Sequence, residues 1–418
     1  MAARPLTLSP SYLATVRGAH ALHQLIAEGK EDSPEADAIR DASDAPWEAL
    51  SETERDRARW VAEDLYSLYE EPPAMQQMTR VAQSGLSAAS EAQHKGKWDK
   101  ALALLREWRA YIDPALLSYL RGSVWYEAGD KATAALFFQH ACKLDPDNSN
   151  YAAMFLIALS KADPDAALVE AEQILYDHRK VSPVIYVRAA EIKLMSAKLL
   201  SDSEGSRIFA QLEPVLKDAI DFAERDPKKI DEMTIGTAHS LLAFGYEFQG
   251  RWQDAVHHYT TALQLDPDND GLLVARGCIL YGSDHRAIND LERAVQLNSP
   301  LIWPYAMLAH HSLNTHQYKE CIKLCEQALT KEGSAAAKSE IQEWEAIAQA
   351  ALEYSPGSIE QAFEQATRTD AANDRAKRNL KKVKSAPRKP PAGYFEVRTE
   401  AALRMSGIAE RQYKMAGV

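Results

Sequence analysis

The sequence has little of what usually fixes a chain from outside its own fold. Its 418 residues include four cysteines, Cys142, Cys278, Cys321 and Cys325. No two form a CxxC pair, so neither a disulfide framework nor a zinc knuckle is expected. Cys321 and Cys325 lie four apart, one above the other on a helix, and read as buried free thiols in a reducing cytoplasm. No apolar run approaches the 18 or so residues that a membrane helix needs; the longest is Ala152 to Leu159. The N-terminal stretch MAARPLTLSPSYLATVRGAH has no continuous hydrophobic core, so no secretory signal is expected. Period-two alternation is missing, which excludes a β-rich fold. There is no HExxH, GxSxG, Walker A or GxGxxG motif. The histidine doublets His257-His258 and His310-His311 point their rings about 100° apart on a helix, the wrong geometry for holding one ion. The acids of residues 1–80 come without paired histidines or a calcium-loop pattern and read as a solvated face. No catalytic residue, cofactor or metal is assigned, and the chain reads as a cytoplasmic non-enzyme.

What is present is a helical pattern with a period. Residues 236–269, GTAHSLLAFGYEFQGRWQDAVHHYTTALQLDPDN, read as two helices. The first carries Leu242, Ala243 and Tyr246 on one stripe, and Gly250 ends it. The second carries Ala255, Tyr259 and Ala262, and Asp266-Pro267 ends it. Spacings of three and four keep each set on one helical face. Small residues at Ala243 and Ala255 let the two backbones approach, with the tyrosines filling the space beside them. This order of large, small and aromatic positions ending in proline resembles the tetratricopeptide repeat, whose period is 34. Residues 115–148 repeat it through Gly122, Trp125, Gly129, Ala134, Phe138, Ala141 and Pro146. Further copies, most of them degraded, fall at 82–114, at 149–182, from Pro183 onward, and at 270–300, 302–335 and 340–373. In the copy from Pro183, LLSDSEGSRIF reads as an insertion between helices.

The resemblance covers about 70% of the chain. It implies an all-α fold, a right-handed superhelical α-solenoid of about eight helix pairs over 81–373, since each pair buries its apolar side only by stacking on the next. Residues 1–80 read as an N-terminal helical segment, with Tyr12 to Ala27 amphipathic, a break at Asp44-Ala45-Pro46, and a Ser51/Glu54 capping box opening a helix to about Tyr69. This block resembles segments of bacterial proteins, and no activity comes with that. Residues 374–389 hold eight basic residues against one acid, in a chain of net charge −12. Residues 374–384 read as a basic capping helix and 385–393 as a proline-rich linker. Residues 394–418 read as an amphipathic helix carrying Val397, Ala401, Met405, Ile408, Ala409 and Tyr413. Two roles stay open for that helix: folding back onto the array, or docking into a partner.

In proteins of the resembled family, the first helix of each pair lines a groove. That implies Tyr119, Ser123, Tyr126 and Glu127 in one unit and Phe244, Glu247 and Phe248 in the central unit. It adds Tyr281, Trp303, His310 and Asn314 beyond it. Phe244 and Phe248 stand outside the core stripe, and rigid aromatic rings bind peptide at low entropic cost. The lysine–asparagine clamp for a C-terminal carboxylate is missing, since Leu86, Ser90, Tyr119 and Ser123 occupy its positions, so a chaperone-tail receptor is not expected. The expected function is a non-catalytic scaffold or adaptor that binds a protein or extended peptide. The alternatives are a self-assembling scaffold that uses its C-terminal helix, a nucleic-acid-associated regulator that uses 374–389, and an enzyme of unrecognised class. The acidic body argues against nucleic acid, and no membrane contact is expected.

Overall fold

The computed structural model describes residues 9–196, 202–228 and 230–414. Among them no strand forms, apart from one isolated parallel bridge between Leu301 and Glu332. Among the described residues no helix is long and apolar enough to cross a membrane. The chain divides into two compact units, residues 1–192 and 193–418.

The first unit opens with α1 (Pro10–Ala27), α2 (Pro34–Glu48) and α3 (Glu52–Tyr66), each started by a serine whose hydroxyl takes a first-turn amide: Ser9, Ser33 and Ser51. Such caps satisfy donors that the helix itself leaves free. At Ser51 the cap is reciprocal, with Glu54 accepting from the Ser51 amide at 3.0 Å. The expected break at Asp44-Ala45-Pro46 does not occur, because Pro46 lies inside α2. It falls in the last turn, where a missing N–H costs a single hydrogen bond and there is little helix left to kink.

Three hairpins follow: α4 (Arg80–His94) with α5 (Trp98–Glu107), α6 (Pro114–Ala128) with α7 (Lys131–Leu144), and α8 (Ser149–Ala162) with α9 (Pro164–Tyr176). Helix α10 (Pro183–Ser196) includes the boundary between residues 192 and 193. Two glycines show why these pairs close. Gly129 ends α6 at φ 97, a conformation that costs any L side chain. A Cβ at Gly122 would sit 2.8 Å from the Phe138 ring, so glycine lets α6 and α7 approach. The N-terminal helices do not stand apart from these hairpins. They share one core with the hairpins, in which Tyr12, Val16 and Leu65 pack together with Ala89, Trp125 and Phe138.

The second unit contains α11 (Asp202–Arg225), α12 (Glu232–Phe248), α13 (Trp252–Leu265), α14 (Asp270–Leu280), α15 (Arg286–Gln296), α16 (Trp303–Asn314), α17 (Tyr318–Leu329), α18 (Ala335–Ala351), α19 (Pro356–Thr369), α20 (Asp374–Val383) and α21 (Glu400–Lys414). Each helix from α11 to α20 packs on the next, which is the stacking of a solenoid. The stretch read as an insertion is only partly described. Its residues 202–209 are the opening turns of the 24-residue α11. Phe209 there is fully buried, and a Cβ at Gly245 would lie 1.9 Å from its ring. Both units are therefore all-α stacks of helix pairs.

Candidate functional site

In the second unit the first helices of successive pairs touch in sequence, α14 with α16, α16 with α18, and α18 with α20. They form one face, and the chain's own C-terminal segment lies on it. Residues 394–399 run non-helically along α20 and α18, and α21 then packs on α14.

The main chain of that segment is held first. Asn379, on α20 and fully buried, accepts from the Glu396 amide at 2.8 Å and donates to the Glu396 carbonyl at 2.8 Å. A carboxamide paired with one residue's N–H and C=O reads backbone without regard to sequence. The other Asn379 hydrogen goes to Glu343 Oε1 at 2.6 Å, and Arg375 donates to Glu343 Oε2 at 2.9 Å. Burial raises the Glu343 pKa, against the opposing pull of Arg375 and Asn379. On α16, His310 donates from Nε2 to the Arg398 carbonyl at 2.8 Å. That bond fixes the tautomer, so Nδ1 is the acceptor facing the Tyr281 hydroxyl at 2.9 Å. Burial lowers the His310 pKa and keeps the ring neutral.

Side chains of the segment fill matching places. Phe395 enters a pocket of Ala346, Ala350, Ile359, Phe363 and Val383, its ring 5.2 Å from that of Phe363. Glu396 is met by Arg378 at 2.9 Å and Lys382 at 3.2 Å. Arg398 reaches Glu340 at 2.6 Å. On α21 the inward residues are Leu403, Gly407 and Ile408. Of the expected apolar face Ile408 is buried, whereas Ala401, Met405 and Ala409 are exposed and the Tyr413 side chain lies outside the described residues. Gly407 sets this rotation, because a Cβ there would lie 2.5 Å from Met307 Cε and 3.3 Å from Trp303. The helix rolls so that its glycine faces the floor.

The sequence-selected groove residues divide by burial. Tyr281, Trp303 and His310 are buried in this floor, and exposed Asn314 stands at its edge, 3.4 Å from His310. Glu247 is buried and accepts from Tyr259 at 2.6 Å within its own hairpin. Phe244 is buried and meets half-buried Phe248 edge-on, their centroids 4.9 Å apart, while Phe248 covers Gly205 of α11. Phe248 thus packs between α12 and α11. In the first unit, half-buried Tyr119 lies 5.6 Å from Phe138 and 5.1 Å from Tyr151. Ser123 donates to its own helix, Lys131 sits over the Tyr126 ring, and exposed Glu127 takes a bond from Gln93.

Sequence reading missed Asn379, Glu340, Glu343 and Arg375. The signal was in DRAKRNLKKVK, where Ala376, Asn379 and Val383 share one face. That face breaks an otherwise charged helix, and all three are buried. The basic run is largely paired within the chain: Arg375, Arg378, Lys382, Lys384 and Arg388 each form an ion pair with a glutamate.

A family model of the tetratricopeptide repeat matches residues 236–269, the α12–α13 hairpin whose neighbours stack on it in both directions. Residues 236–269 are a tetratricopeptide repeat. The chain is similar to a tetratricopeptide repeat protein from Parabacteroides merdae at 14% identity and TM-score 0.39, over 65% of this chain and 100% of that one. It is also similar to human IFIT1, solved as a dimer with m7Gppp-AAAA, at 13% identity and TM-score 0.41, over 90% and 87% of the two chains. A third likeness is to the APC/C hetero-tetramer Cut9-Hcn1, at 13% and 0.41, over 96% and 89%. At these scores the likenesses carry no inference about partner or shape. No curated protein matches the chain. Repeats of this family generally serve as non-catalytic interaction scaffolds.

Proposed function

We propose that the second unit is a receptor for a peptide that enters extended and finishes as a helix, and that residues 394–409 occupy this receptor in cis. The observation that carries the reading is Asn379 paired with both backbone groups of Glu396. A buried side chain spent on main-chain recognition serves any peptide of suitable side chains, and those are defined by what surrounds it. The ligand places an aromatic where Phe395 sits and an acid where Glu396 meets Arg378 and Lys382. A cation follows opposite Glu340, and then a helix with a small residue where Gly407 faces Trp303. The chain thus acts as a non-catalytic adaptor whose own tail competes with its partner. The tether gives that tail an effective concentration of order millimolar, so a partner must exceed it in affinity or arrive multivalently.

A second copy's tail satisfies the same contacts, and the proline-rich 385–393 makes a spacer compatible with exchange. Self-association is therefore the second reading. The nucleic-acid reading finds less support, given how much of the basic run is paired internally.

The test uses the full chain carrying Leu403→Asp and Ile408→Asp, which drive two charges into the α21 contact. A fluorescent peptide of residues 394–414 is titrated by anisotropy, with light scattering for mass. The released variant is expected to bind one peptide about tenfold or more tighter than the wild-type chain does. Equal affinity for both, or binding to neither, overturns the receptor reading. A wild-type dimer that the variant converts to monomer places the tail in a neighbouring copy.

A further inference from the structure

A separate cavity of about 370 Å³ lies in the first unit, between the end of α3 and the α6–α7 hairpin. At its wall is Arg121, 4% exposed. Its Nη1 donates to Ser67 Oγ, and its Nε has no hydrogen-bond partner. Guanidinium stays charged in any protein setting, so a buried one with an unmet donor is costly. The buried carboxylate nearby is already spoken for. Asp64, fully buried, receives Arg106 Nη2 at 3.0 Å on Oδ1 and Trp125 Nε1 at 3.0 Å on Oδ2. Glu63 takes the other end of Arg106 at 2.8 Å. One buried acid thus stands beside two guanidinium groups, and Arg121 is left with the unmet donor.

The rest of the cavity suits an amphipathic visitor. Arg109, exposed at the mouth, forms no ion pair. Ser118 and His140, bonded to each other at 2.8 Å, line one side. Ile112, Leu117 and Leu144 supply an apolar wall, closed by Pro72 and Pro73. Glu70 and Glu71 also border the cavity, but both are exposed, where water screens their repulsion. The volume falls in the range of small-molecule sites, which pair an apolar lining with a few fixed polar groups.

We propose that this cavity binds a small organic anion, a carboxylate or phosphate monoester on an apolar or aromatic body, with Arg121 holding the anionic oxygens and Arg109 guiding them in. Arginine is suited to this because its planar fork presents donors to two oxygens at once.

The test is calorimetric titration of the full chain with phenyl phosphate and with benzoate, with phenol as the neutral analogue and potassium chloride matching ionic strength. At least one anion is expected to bind with one-to-one stoichiometry, and phenol is expected to give no binding. Arg121→Met is expected to weaken binding by about tenfold or more, and Arg109→Ala by about threefold. Arg109 is exposed and unpaired, so its variant reads binding apart from folding if Arg121→Met is poorly folded. No heat with either anion, equal affinity for phenol, or unchanged affinity in Arg109→Ala each overturns the proposal.

Discussion

Replacing Leu403 by alanine tests whether α21 is a docked ligand or an ordinary part of the stack. Leu403 has no exposed surface, and it lies on the helix that packs against α14. Removing its side chain loses the transfer energy of a buried leucine, about 1.5–3 kcal/mol, and leaves a cavity that the neighbours only partly refill. Together these bring the cost to about 2–5 kcal/mol. If α21 detaches from an otherwise intact unit, the whole cost falls on the docking equilibrium. At about 1.4 kcal/mol per factor of ten, the undocked population rises about 30-fold at the low end and several-thousandfold at the high end. Amide hydrogen exchange under conditions where reclosing outruns exchange reads that population directly. Residues 401–409 are expected to exchange faster by this factor, while amides of α14 to α19 change by less than about threefold. A uniform loss of protection across α14 to α19 would refute the reasoning, because the tail would then be integral to the core. Unchanged protection in α21 would refute it from the other side.

Three further outcomes follow from the same contacts. Asn379→Ala strips both backbone bonds from Glu396 and leaves Glu343 short of a donor; at about 1–3 kcal/mol for each group left unpaired, it should raise exchange at 396–409 more than at α12, and equal effects at both would count against a clamp. Gly245→Ala puts a methyl where the Phe209 ring lies 1.9 Å away; the overpacking cost of about 1–3 kcal/mol exceeds the gain of about 1 kcal/mol from better helix propensity, so the midpoint of thermal unfolding should fall, and a rise would refute the close approach of α11 and α12. Stability of the second unit should fall on acidification, because burial lowers the His310 pKa in the folded chain and unfolding returns it to its ordinary value of 6.5: its contribution is complete above 6.5 and is lost as pH falls below it, so the midpoint of thermal unfolding should be lower at pH 5.5 than at 7.5, with His310→Gln reducing the difference.

Legibility in the sequence followed how local each determinant was. The α12–α13 hairpin was readable because its stripe residues are separated by three and four, so one helix turn contains the whole rule, and Ala243, Ala255 and Ala262 are fully buried as that rule requires. Pro46 and residues 202–209 misled for a related reason. A proline or a polar stretch signals a break only if nothing downstream rewards continuing the helix. Phe209, locked against Gly245 some 36 residues later, is such a reward, and no local pattern records it.

The site was harder to see because its residues matter through partners far along the chain. Phe244 and Phe248 attracted attention as aromatics outside the core stripe, yet the stripe describes one hairpin only. The space beside it belongs to α11, where Gly205 admits the Phe248 ring. Asn379 went unnoticed inside a run of lysines and arginines, since a charge count treats an amide as neutral filler. Its meaning appears only when Glu343, 36 positions before it, and Glu396, 17 after it, arrive at its three polar sites. A polar residue on the buried face of a charged helix is therefore the better guide to a recognition site than an aromatic on an apolar one. The aromatic has ample reason to be buried by packing alone, whereas a fully buried amide with all its bonds met must have something specific to hold.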